Sequence, residues 1–425
     1  MSERDLCVHT FETRHSVAWQ DYVDCHPEGT FFHGLAWKQS IERTFCHRAR
    51  YLVATRRGGK SRKSKTESRK PKAESRNLRS LETSRRGAEI AEKHVINPSL
   101  RPLHPCASAP LRLCVSSSQS AIRNPKSPKD VPVRRIVGVF PLFEVNSVLA
   151  GRLLVSVPYA TYGGILADDE EVAVALFAEA KAIASQSRVR SIEVRSIRAS
   201  VPLLGVQHSH AMFRKPLPDQ AEDVLSVMPR KARAAARRAA ERYELSVGFD
   251  RVLLPVVWQL YSRSMRRLGS PNYPYRFFEE LSASTGDDCV VQLVRHQGRA
   301  VAGLVSFLYR DTVMPYFAGL DERESVYGLN NFLYAESMRW GVRQGYRMYD
   351  FGRTRIDNTG SYNFKRFCGF EPQQLEYQTY VMPGRTAPDL SPGSSRWIAA
   401  RRMWKTLPLP ITRPLGAWLA KSIPG

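Results

Sequence analysis

The sequence predicts an α/β protein built as two domains, and three observations predict it. The chain has 425 residues, enough for two cores. Stretches with apolar residues at helical spacing alternate with short β-branched and aromatic runs along both halves. Residues 289–351 read as three strands joined by short turns, then a helix, then a fourth strand. The hydrophobic content of 43% is that of a globular protein and not of a disordered chain. No apolar run reaches the roughly 18 residues that a membrane span needs. The start, Met1 to Asp5, is charged and has no apolar signal core, so a cytoplasmic location is expected.

In the first 56 residues, Val17 to Tyr22 has helical spacing, Thr30 to His33 reads as a short strand, and Leu35 to Phe45 as a helix. Tyr51 to Ala54 reads as a strand. From 57 to 132 the composition changes to Lys, Arg, Ser and Glu, then Pro and Ser, with no lasting period. Such a segment buries too little apolar surface to offset chain entropy, so a disordered insertion is expected. Its flanks, Tyr51 to Thr55 and Arg135 to Leu142, read as the arms of one hairpin. Residues 57–135 hold 20 Lys/Arg against 6 Asp/Glu, which is +14 of the net +24. The basic balance is therefore mostly local and argues against a folded nucleic-acid-reading surface. A non-enzymatic nucleic-acid-binding protein stays as one alternative.

Residues 133–215 continue with strands at Ile136 to Phe143, Arg152 to Ser156 and Ser191 to Arg195, and a helix at Glu170 to Ser185. Pro158 to Gly164, PYATYGG, is a turn where glycines would let backbone approach a ligand. Met228 to Arg242 is an Ala/Arg helix that places Arg230, Arg233 and Arg237 on one face, with Arg238 about 100° away. A helix at Val256 to Leu268 precedes the strands Cys289 to Arg295, Ala300 to Tyr309 and Thr312 to Ala318. The helix Tyr327 to Trp340 follows. Met348 to Phe351 is a short strand ended by Gly352, and Arg353 to Ser361 reads as an exposed polar loop. Phe364 to Phe367 is a helical turn carrying Lys365, and Phe370 to Pro372 opens another strand. On residue physics alone Lys365 reads as a surface lysine lying over Phe364 and Phe367. The tail, 385–425, alternates Trp397, Ile398, Met403 and Trp404 with Arg396, Arg401, Arg402 and Lys405. It reads as a surface-covering element or an amphipathic contact with an anionic bilayer. Seven cysteines at scattered positions suit reduced thiols, and neither Cys106 with Cys114 nor His208 with His210 has the spacing of a metal site.

Tyr349-Asp350-Phe351-Gly352 followed by Phe364-Lys365 resembles the end of the second domain of the Fem-type peptidyltransferases. FGRT, GSYNFKR and GFEP look like the subgroup associated with exosortase (PEP-CTERM) systems. The resemblance implies two tandem GNAT-like domains, the second being BioF2-like. It divides the chain into 1–56 with 133–218, the insertion 57–132, a connecting Arg-rich helix 219–245, a second domain 246–384, and the amphipathic tail 385–425. It implies transfer of an acyl or aminoacyl group to an amine of a peptidoglycan- or exopolysaccharide-related precursor, nucleotide- or lipid-linked. The donor would be aminoacyl-tRNA or acyl-CoA, with no metal, in the cytoplasm or at the inner membrane surface. In that frame Lys365 is the catalytic cation beside the donor ester. Phe364, Arg353, Tyr159 and Tyr162 contact substrate, and Lys38, Arg237 and Arg238 hold acceptor phosphate. The family's lysine falls one residue later than Lys38, where this chain has Gln39. The loop before the helix at Tyr327, DERESVYG, offers only Gly328 for a pyrophosphate, so weak coenzyme A binding is expected. The alternative is an acyl-CoA-dependent N-acyltransferase acting on a sugar in exopolysaccharide assembly.

Overall fold

A computed structural model describes residues 6–57, 134–321, 323, 326–386 and 395–424. The expected insertion, 57–132, lies outside the described residues apart from Arg57. The first half contains β1 (Leu6–Thr10), α1 (Ser16–Cys25), α2 (Leu35–Phe45), β2 (Arg48–Ala49), β3 (Leu52–Arg57), β4 (Arg134–Phe140), β5 (Phe143–Ser147), β6 (Gly151–Val155), β7 (Leu166–Ala167), α3 (Glu170–Gln186), β8 (Ser191–Ser196), β9 (Val206–Gln207) and β10 (His210–Pro216). The second contains α4 (Arg230–Arg242), β11 (Leu245–Phe249), α5 (Leu254–Leu268), α6 (Tyr275–Thr285), β12 (Cys289–His296), β13 (Arg299–Tyr309), β14 (Thr312–Leu320), α7 (Leu329–Arg343), β15 (Met348–Arg355), α8 (Thr359–Phe367), β16 (Pro372–Gln374) and β17 (Glu376–Val381). The tail is α9 (Ser395–Thr406) and α10 (Leu409–Ala420).

The described strands form three sheets, ordered β1-β3-β4-β7, β2-β5-β6-β8-β17-β9 and β11-β12-β13-β14-β15-β10-β16. The arms flanking 58–133 pair antiparallel from Leu52↔Phe140 to Arg57↔Arg134. Two strands change halves. β10 lies antiparallel to β15, from His210↔Arg355 to Pro216↔Met348. β17 lies antiparallel to β8, from Glu376↔Ser196 to Val381↔Ser191. Boundaries at 218 and 384 therefore cut across both sheets, because each half completes the other's sheet. The largest apolar cluster joins the halves as well, with Trp37, Phe32 and Tyr162 meeting Phe277, Phe307 and Phe317. Phe31 stacks on Phe307 at 4.8 Å between ring centres.

The parallel strands β14 and β15 pair only at Thr312↔Met348 and Val313↔Tyr349. Beyond that they diverge, and the gap between their C-terminal parts is where the site lies. β15 does not end at Gly352, as its sequence suggested. Its register with β10 shifts between Met212 and Arg214, and Gly352 takes φ +70° there. A bulge residue in the left-handed region is what glycine accommodates, so the strand continues through it to Arg355. The loop expected over Arg353 to Ser361 shrinks accordingly to the residues before Thr359. Thr30 to His33 is not a strand either: Phe31–His33 is a 3-10 turn. The His33 imidazole Nδ1 accepts from the Thr30 amide at 3.2 Å and lies 2.8 Å from its hydroxyl, closing the turn locally.

The tail docks on the protein. Ser147 Oγ donates to the Ser422 carbonyl at 2.6 Å, and the Tyr159 amide and Arg195 Nη1 donate to the Pro424 carbonyl at 2.6 and 3.0 Å. No helix among the described residues is long and apolar enough to cross a membrane.

Candidate active site

A cavity of about 480 Å³ occupies the gap between β14 and β15. Its walls come from Pro315 to Ala318 on β14, Phe351 to Arg353 on β15, Lys365 on α8, and Tyr159 and Thr161 from the turn after β6. Tyr261, Tyr273 and Tyr334 add phenol rings, and Ala420 and Ile423 of the tail complete the lining. No carboxylate among the described residues lines it. Burial raises the pKa of Tyr273, Tyr316 and Tyr334, so these phenols stay neutral at neutral pH, and the Tyr316 hydroxyl donates to the Tyr159 carbonyl.

Lys365 is not the surface lysine that residue physics suggested. Only 8% of it is exposed. Its rings are not Phe364 and Phe367: the ammonium nitrogen sits 5.2 Å from the centre of Phe213 and 5.3 Å from that of Phe351, while Phe367 points to solvent. Helix α8 starts right after the strand, and its second turn folds Lys365 back against β15. There Nζ donates to the carbonyls of Gly352 at 3.2 Å and Arg353 at 3.1 Å. Burial holds its pKa down to about 7. The buried Asp350 carboxylate pulls upward and the Arg353 guanidinium pushes down further. A neutral amine has two N–H donors and one lone pair. In that form the two donors would meet the two carbonyls and leave the lone pair unengaged.

Arg353 supplies the permanent charge. Its Nη1 donates to the Tyr377 hydroxyl at 2.9 Å, and its guanidinium lies over that ring at 5.7 Å. Tyr377 in turn donates to the Thr161 carbonyl, so β17 pins the arginine against the cavity wall. Asp350 lies behind that wall. It accepts from the Gly352 amide at 2.9 Å and from the Tyr162 hydroxyl, and pairs with Arg214 at 3.5 Å.

The structure therefore brings Lys365, Arg353 and Tyr159 to one cavity and leaves the other expected residues outside it. Phe364 packs behind the wall, 5.9 Å from Tyr334 and 6.1 Å from Phe351 between ring centres. The Tyr162 hydroxyl is held by Asp350. The Tyr159 hydroxyl is engaged too, by His47 Nε2 at 2.7 Å and the Ala420 carbonyl at 3.0 Å, so only its ring serves the cavity. Lys38 pairs with Glu42 at 2.7 Å, one helical turn away, over Phe11 and Tyr51. Arg237 and Arg238 stand exposed on α4, Arg238 over Tyr327 at 5.9 Å. Sequence reasoning missed Tyr261, Tyr273, Tyr316, Tyr334 and the tail residues. Tyr316 carries a visible signal, an aromatic within the strand Thr312 to Ala318. Ala420 and Ile423 carry none.

The start of α7, where an acyl carrier's pyrophosphate would meet backbone amides, is covered by α4. A Cβ on Gly328 would fall 2.2 Å from the Ala235 carbonyl oxygen, and the Tyr327 amide donates to the Tyr243 hydroxyl at 3.2 Å. Among the described residues no cluster of His, Cys, Asp and Glu has the makings of a metal site.

Residues 227–366 match the family model described as acetyltransferase (GNAT) domain. Among solved structures, that of FemX is similar over 88% of this chain and 97% of its own, at 13% identity and a TM-score of 0.54. The chain has the FemX fold. The GNAT-type match itself is confined to residues 227–366, in the second half. L-PGS from Bacillus licheniformis is similar over 67% of this chain and 86% of its own, at 14% identity and a TM-score of 0.42. No curated protein matches the sequence.

Proposed function

We propose that the chain transfers an acyl or aminoacyl group from an activated ester to an amine of a nucleotide- or lipid-linked cell-envelope precursor. The precursor would be peptidoglycan- or exopolysaccharide-related, and the work would be done in the cytoplasm or at the inner membrane surface. One observation carries this reading: a buried lysine of depressed pKa and a fixed guanidinium share the wall of a cavity that no carboxylate among the described residues lines. The acceptor amine attacks the ester carbonyl, forming a C–N bond. Lys365, neutral above pH 7, takes the proton that the attacking nitrogen sheds. Arg353, in the same cavity wall, stabilises the oxyanion that develops. As the ester C–O bond breaks, Lys365 returns the proton to the leaving oxygen. The role of permanent cation thus passes from Lys365, where the resemblance put it, to Arg353.

The covered start of α7 favours an aminoacyl-tRNA donor over acyl-CoA. Calorimetry with acetyl-CoA and longer acyl-CoAs should give no saturable heat. Charged tRNA should support transfer of label to an envelope precursor. A tight stoichiometric acyl-CoA complex, with no transfer from charged tRNA, would instead establish the sugar N-acyltransferase alternative.

A further inference from the structure

The tail carries a surface that the transfer chemistry does not use. Every exposed residue of α10 is apolar: Pro410, Ile411, Pro414, Leu415 and Trp418. Ile411, Leu415 and Trp418 recur at helical spacing, and Trp418 is 55% exposed. The opposite face of the same helix is docked, with Thr412, Gly416 and Ala420 buried. A contiguous apolar stripe on a folded surface marks a contact site.

Cations frame the stripe. Residues 395–425 contain six Lys/Arg and no Asp or Glu. Arg401, Arg402 and Lys405 are exposed on α9, with Met403 between them. At the foot of α10, Leu409 shares a recess of about 330 Å³ with Arg263, Arg266, Arg267, Arg323 and, among the described residues, one carboxylate, Asp321. Asp321 is occupied by Arg263 and Arg323, at 2.8 and 2.7 Å. Arg266 Nη1 donates to the Leu407 carbonyl at 3.0 Å, which ties the recess to the loop between the two tail helices.

We propose that α9 and α10 form the face by which this protein lies on an anionic phospholipid bilayer. The apolar stripe enters the headgroup–acyl boundary, and the cations and the arginine-lined recess meet lipid phosphates. Charge decides among the occupants. A second copy would bring the same basic face against itself. The segment 57–135 carries +14 and would be repelled as well. An anionic membrane complements both the sign and the apolar stripe. Ala420 of α10 and Ile423 line the catalytic cavity, so docking would set that cavity beside a lipid-linked acceptor. This last step rests on the transferase reading, whereas the docking itself does not.

The test is co-sedimentation of the full chain with vesicles of phosphatidylcholine alone and of phosphatidylcholine mixed with phosphatidylglycerol. Binding is expected only to the mixed vesicles, and it should weaken as salt is raised. Trp418→Glu should lower it at least tenfold, as should the pair Arg402→Glu and Lys405→Glu. These side chains are exposed, so the melting temperature should hold in each variant. Equal binding to both vesicle types, no binding to either, or full binding by the folded variants would overturn the proposal. So would a dimer in sedimentation velocity that Trp418→Glu dissolves, since a second copy would then be the occupant. Because no activity is read, failure here would leave the transferase reading standing.

Discussion

Lys365→Met is expected to lower turnover about a thousandfold while the protein stays folded, the size of effect that loss of a positioned proton acceptor produces. Methionine keeps the length of the stem between Phe213 and Phe351 but has no basic nitrogen. Lys365→Ala is the poorer probe, because truncating a buried chain opens a cavity at a cost of about 2–5 kcal/mol. The methionine variant leaves the carbonyls of Gly352 and Arg353 without their donor, which costs about 1–3 kcal/mol for a buried group. It also removes an amine that burial disfavours in its charged form, which acts in the opposite direction. The sign with pH follows from the depressed pKa. Between about 7 and 10.5 the unfolded chain binds a proton at this position and the folded chain does not. Wild-type stability therefore gains from this group as pH rises through that window, and the variant lacks the gain. Activity of the wild type should rise with pH through about 7, as the amine becomes neutral. A lysine acting only as a cation would give the reverse limb. Turnover and thermal unfolding measured on the same preparations separate chemistry from folding: a loss of activity that merely tracks a fall in melting temperature would remove Lys365 from the chemistry.

The second large effect is expected at Arg353. Arg353→Met should lower turnover about a hundredfold, the scale associated with losing one oxyanion partner. Arg353→Lys should recover part of it, because the charge returns without the planar fork that reaches Tyr377. A purely structural arginine would also slow the enzyme if lost, so a second readout is needed. The Arg353 guanidinium pushes the Lys365 pKa down. Removing it should move the acidic limb of the pH–activity profile to higher pH, and restoring a charge with lysine should bring the limb back. An unmoved limb in Arg353→Met would show that the two groups do not share a site.

Much of the fold was legible because its signals are local. The helices at Leu35 to Phe45 and at Val256 to Leu268 follow from apolar spacing. The hairpin around the insertion follows from two strand-like flanks. Gly352 misled because a glycine that ends a strand and a glycine that bulges one look alike without the partner strand. That partner, β10, comes from more than a hundred residues upstream and from the other half, which no local pattern encodes. For the same reason the exchange of β10 and β17 could not be read from composition. The site was legible as a neighbourhood, since Lys365 and Arg353 lie in one motif. The environment of Lys365 was not, because Phe213 and the divergence of β14 from β15 are tertiary facts. The resemblance assigns Lys38, Arg237 and Arg238 to acceptor phosphate, but neither a resemblance nor a charge says which cavity a side chain reaches.

The most direct measurement is the titration of Lys365 itself. In protein labelled with 13C-lysine, its ε-carbon resonance can be assigned by its disappearance in Lys365→Met and then followed against pH. No substrate is required. A midpoint near 7 is the result expected of a buried amine that is neutral when it meets its substrate. A midpoint near the ordinary lysine value of 10.5 would mean that the amine stays charged and cannot accept the proton, and the mechanism would be wrong at its centre.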